Sequence, residues 1–97
     1  MRRVLPGDVA AVARVLCRLP PALRRDRLAR LIADAEQADG HRRSTGRAHP
    51  TLGSGSLMAA ASRLPRVPEP DFDDDLYCRC WILVLEALVR HRTKTAS

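Results

Sequence analysis

Aromatic side chains are nearly missing from this sequence, which holds one Phe, one Tyr and one Trp in 97 residues. Sheet cores draw on aromatic and β-branched residues. Their scarcity beside abundant Ala and Leu, both strong helix formers, argues against a β fold and predicts an all-α protein. Cysteine is scarce too. Cys17, Cys78 and Cys80 are too few and too unevenly spaced for a disulfide framework, and no charged-then-apolar leader precedes the first helical pattern, so a cytoplasmic setting is expected. Nor is there a long apolar run: residues 76–89 come nearest, but Arg79 and Glu86 interrupt them and the stretch is too short to cross a bilayer, so no membrane contact is expected. A chain of this length suits one domain over residues 1–97 without a large substrate cleft.

Lysine is reduced to Lys94, which leaves arginine to supply the rest of the seventeen basic side chains. That excess either serves bidentate contacts to phosphate or carboxylate or reflects the codon usage of a GC-rich genome; the positive field exists in both cases. The net charge of +6 is unevenly spread: residues 1–66 carry thirteen arginines against five acids, whereas residues 67–97 carry four basic side chains against six acidic ones.

The apolar periodicity predicts a small bundle of three main helices and one short one. The first spans 9–18, capped by Asp8 after the Pro6-Gly7 turn, with Val9, Val12, Ala13 and Leu16 on its inner face. Pro20 and Pro21 end it and open the second helix, 21–38, whose Leu28, Leu31, Ile32 and Ala35 share one face while Asp26, Arg30 and Asp34 follow at i,i+4 on the other. Gly40 is the expected C′ residue of this helix. A short helix, 57–64, follows a Ser56 cap, and Pro65, Pro68 and Pro70 make residues 65–70 a stiff linker. The last helix, 73–92, has Asp71, Asp73, Asp74 and Asp75 at its positive end and Arg90, His91 and Arg92 at its negative end, followed by a flexible tail, 93–97. Its apolar positions nearly encircle it. Such a helix is either the central element or a subunit contact, and Leu76, Cys80, Trp81, Leu83, Val84 and Leu88 are its candidate core or interface residues.

Residues 40–56, GHRRSTGRAHPTLGSGS, are the chief functional candidate, since so long a connection in a small domain is either functional or disordered. Arg42, Arg43 and Arg47 could neutralise phosphates, and Arg24, Arg25 and Arg27 at the start of the second helix, where the dipole disfavours cations, could extend the patch. No aromatic residue is interleaved for base stacking. Gly53, Ser54, Gly55 and Ser56 form a candidate anion turn before a helix, but the lysine of a Walker A loop is missing. Cys78 and Cys80, two apart on a helix, point about 200° from each other and cannot grip one metal ion. No base or orienting acid accompanies Ser54 or Ser56. The sequence therefore predicts neither an enzyme nor a metal or cofactor site.

The segments VLPGDVAAVARVL, HRRSTGRAHPTLGSGSLMAAA, PEPDFDD and CWILVLEALV together resemble a group of short alphaproteobacterial proteins of the Rhodobacter type, over nearly the whole chain. In size, charge and helical make-up the sequence is also similar to the small terminase-like proteins of gene transfer agents, which implies a role in DNA packaging with little sequence preference. Two functional expectations follow. One is a self-associating helical protein whose basic surface contacts nucleic acid or an acidic protein, as a packaging accessory. The other is an adaptor or regulator that docks on a partner through its apolar last helix.

Overall fold

Two prolines at helix starts, two glycine-hinged turns and one aspartate at each of two helix starts set the limits of four helices. The computed structural model describes residues 1–96 and shows α1 (Pro6–Cys17), α2 (Pro21–Thr45), α3 (Leu57–Ala61) and α4 (Asp75–Ala96). Among the described residues there is no strand, only an isolated antiparallel bridge between His49 and Gly53. The protein is all-α.

The first helix starts earlier than expected, because Pro6 takes its N1 position with φ already suited to a helix and Leu5 is the cap. Asp8 is inside the first turn. Its Oδ2 accepts the Leu5 amide at 2.8 Å and its Oδ1 reaches across to accept the Met58 amide at 2.9 Å, so one buried carboxylate serves the starts of both α1 and α3. Ser56 caps α3 as its sequence position implies, accepting the Ala59 amide at 3.0 Å.

The second helix passes straight through Gly40 and continues to Thr45. A mid-helix glycine costs about 1 kcal/mol, and the next turn offsets it. Asp39 accepts Arg42 at 2.6 Å and pairs with Arg43 at 3.4 Å, while Ala38 is sealed in the interior. The left-handed cap is Gly46, φ 74°, whose amide donates to the Arg42 carbonyl. The connection expected over 40–56 is thus confined to residues 46–56, and it is held at several points. His49 donates its amide to Gly53, its Nδ1 accepts the amides of Thr51 and Leu52 at 3.1 Å each, and Gly55 accepts the Arg2 amide at 2.8 Å.

The core centres on α1, which touches all three other helices. Val12, Ala13 and Leu16 are fully enclosed, against Leu31 and Ala35 of α2, Leu57 and Ala60 of α3, and Tyr77, Cys80 and Val84 of α4. The proline-containing linker is strapped to this central helix: Arg14 Nε donates to the Val67 carbonyl at 2.8 Å and the Val67 amide returns to the Arg14 carbonyl at 3.3 Å. The last helix begins two residues later than expected, with the Asp74 carboxylate accepting the Tyr77 amide at 3.0 Å as its cap. It also extends beyond residue 92, so the tail expected at 93–97 is helical as far as Ala96; Ser97 lies outside the described residues.

Candidate interaction surface

Internal pairing engages several of the side chains that the sequence suggests as sites. Arg42 and Arg43 are on the last turns of α2 and are tied to Asp39, whose carboxyl is held below its ordinary range chiefly by the Arg42 hydrogen bond. Arg47 alone of the three projects from the loop with no ion-pair partner among the described residues. Arg24 donates its Nε to the Leu16 carbonyl at 3.0 Å, so this cation complements the negative end of α1 instead of opposing the positive end of α2. Arg25 and Arg27 remain exposed. Eighteen residues of helix separate Arg24 from Arg42, about 27 Å at 1.5 Å per residue, so the two arginine groups occupy opposite ends of α2 and form no continuous patch.

The glycine-serine turn is filled from within. Gly53 and Gly55 have φ of 93° and 101°, and a Cβ on Gly55 would come 2.8 Å from Asp39 Cα, so glycine here permits close packing of the turn on α2. The helix-start amides that an anion would use are already taken, Met58 by Asp8 and Ala59 by Ser56. Residues 53–56 therefore act as a structural joint, with Ser54 partly buried and Gly55 packed on α2.

The cysteines divide as well. Cys80 is buried with its Sγ 3.7 Å from that of Cys17, and burial together with the neighbouring thiol pushes its pKa up to about 12. Cys78 is half-exposed and donates to the Phe72 carbonyl at 3.1 Å. Among the described residues no cluster of three or more His, Cys, Asp or Glu could hold a metal ion.

The outer face of α4 is left uncovered and is apolar. Of the candidate residues on α4, Cys80, Val84 and Leu88 are core, Trp81 and Leu83 are partly buried against it, and Leu76 is exposed. The outward side chains include Ile82 (53% exposed), Leu85 (47%) and Val89 (55%), three positions outside the candidate core or interface set. With Cys78 they recur at i, i+4, i+7 and i+11, the spacing of a single helix seam. Alongside runs a groove of about 660 Å³ between the N-terminal segment and α4, floored by Leu5, Val9, Trp81, Leu85 and Leu88 and rimmed by Arg2, Arg3 and Arg92. The Trp81 Nε1 is buried at its margin without a hydrogen-bond partner. Phe72, 61% exposed, lies edge-on to Trp81 at 5.1 Å and stacked on Tyr77 at 5.4 Å.

These features define a small helical protein with an aliphatic core and an open apolar face on α4. Residues 2–88 match the Domain of unknown function (DUF7742), and the chain belongs to that family. No curated protein and no solved structure matches it.

Proposed function

We propose that this protein is a non-catalytic interaction module that docks through the outer face of α4. The observation that carries this reading is the joint exposure of Ile82, Leu85 and Val89 on one seam beside an apolar groove. Single exposed apolar residues are ordinary, whereas a contiguous apolar strip is typical of a contact surface. Amphipathic helix pairing reads such i, i+4, i+7 anchors.

Cys78 is on the seam and reports its coverage without any substitution, because cleavage after Arg79 separates it from Cys80. The Cys78 thiol should alkylate readily in dilute purified protein and severalfold more slowly in concentrated purified protein or in a native cell extract. Buried Cys80, with its raised pKa, should resist alkylation in both and serve as the folded-state control. Equal labelling of Cys78 in dilute protein, in concentrated protein and in extract would overturn the docking role.

A second reading, contact with nucleic acid as a DNA-packaging accessory, is supported by the exposed Arg25 and Arg27 at one end of α2 and by the net charge of +6. Binding to a labelled duplex should weaken as salt rises, with little dependence on sequence. Replacing both arginines with Gln should lower the salt slope by roughly 2, about 0.9 for each phosphate no longer neutralised. An unchanged slope removes α2 from that role.

A further inference from the structure

The open face of α4 carries an ordered set of charges. Asp75 stands at one end of the seam and Arg92 at the other, at the same i, i+3 and i+4 spacing that links Cys78, Ile82, Leu85 and Val89. On one flank of the seam Arg79 and Glu86 are both exposed, and Arg79 already holds Asp75 at 2.7 Å. From the start of the helix the signs read acid, base, acid, base: Asp75, Arg79, Glu86, Arg92. Read from the opposite end they are inverted. The pattern is therefore its own complement when the helix is turned end for end.

We infer that the occupant of this face is α4 of a second copy of the chain, packed antiparallel about a twofold axis beside Leu83 and Val84. The inference rests on the docking reading and names its partner. In this register Ile82 meets Leu85 of the second copy, Cys78 meets Val89 of the second copy, and Asp75 meets Arg92 of the second copy. Antiparallel helices bring like flanks together, so Arg79 faces Glu86 of the second copy, and the twofold repeats every contact. The other flank is apolar, with partly buried Trp81 on it and Leu5 widening the strip beside the groove. A parallel pair has no such match: it sets Asp75 against Asp75 of the second copy and turns Glu86 toward the flank of Trp81 and Leu88. The seam from Asp75 to Arg92 is about 26 Å long at helical rise, enough for several layers of side chains.

Sedimentation velocity on the full chain over a concentration series tests the pairing. A monomer–dimer equilibrium is expected, with dimer prevailing by roughly 100 µM, in the range of a modest interface. Glu86→Arg should weaken the dimer about tenfold, because the new cation faces Arg79 of the second copy and the twofold axis repeats that repulsion; Arg79→Glu should act likewise. The double exchange R79E/E86R should recover most of the loss, because the opposed signs are restored. Both positions are exposed on the monomer surface, and helical circular dichroism confirms that each variant folds. A monomer at every concentration overturns the second copy as occupant; if Cys78 is nonetheless shielded in extract, the docking reading survives with another partner. A dimer indifferent to E86R and R79E overturns the antiparallel register, and unshielded Cys78 together with a monomer overturns both readings.

Discussion

Asp8 serves two helix starts with one carboxylate, and its position explains how the start of α1 and the α3 segment are held together. Its oxygens accept the Leu5 and Met58 amides from segments some fifty positions apart, in a site closed to solvent. Replacing it with Ala would leave two amides without acceptors, and buried unsatisfied donors cost more than the hydrogen bonds themselves contribute. Asp8→Ala should lower the unfolding free energy by about 3 kcal/mol, read from the urea midpoint. A loss under about 0.5 kcal/mol, less than one net hydrogen bond, would mean that α3 docks by apolar contact alone. The residue type and the turn around it are visible in the sequence, which suggests a cap at this position. The partner is not, since nothing local in PGD shows that Met58 will be adjacent.

For single elements, α4 shows best what periodicity decides and what it leaves open. Its length, its acidic start and its basic end follow from dipole complementarity and appear in the sequence. Which face turns inward does not, because apolar residues surround the helix and every rotation buries several of them. Contact with α1 selects Tyr77, Cys80, Val84 and Leu88 and leaves Ile82, Leu85 and Val89 outside. The two faces should respond differently to truncation in dilute solution. Leu88→Ala should cost about 3 kcal/mol, a typical cavity-forming loss, and Ile82→Ala should stay within about 0.5 kcal/mol, as exposed positions do. Equal costs would contradict this rotation of the helix. In α2 the stop expected at Gly40 is overridden for a related reason. Glycine ends a helix only when nothing beyond it favours continuing, and here the Asp39 pairs with Arg42 and Arg43, together with the close approach of Gly55, carry the helix on to Gly46.

Across the whole molecule, the basic character read from composition is partly internal. The N-terminal ammonium contacts Glu36 at 2.7 Å and Asp39 at 3.4 Å, His91 of α4 also reaches Glu36, and Arg42 and Arg43 close on Asp39. This network joins the start of the chain, α2 and α4. Glu36 is held below its ordinary pKa chiefly by the hydrogen bond from the ammonium, and Asp39 chiefly by that from Arg42. A carboxyl with a depressed folded-state pKa contributes stability above its unfolded value and loses it as pH falls through the folded one. Unfolding free energy should therefore hold steady from neutral pH to about pH 5 and drop toward about pH 3. Glu36→Gln should flatten that acid limb in urea titrations at each pH. An acid limb of unchanged steepness would place the loss elsewhere.

The sequence by itself determined the helical class, the number of main helices, the inward stripes of α1 and α2, the Ser56 cap and the charge order along α4. All of these depend on residue type and local spacing. The tertiary structure alone decided that residues 53–56 are a packed joint, that Arg24, Arg42 and Arg43 have internal partners, and that the Ile82, Leu85 and Val89 seam is open. The reason is physical: a hydrogen-bond donor or an apolar face counts as available only after long-range packing has satisfied or buried its neighbours, and that packing joins residues whose distance along the chain gives no local sign of contact.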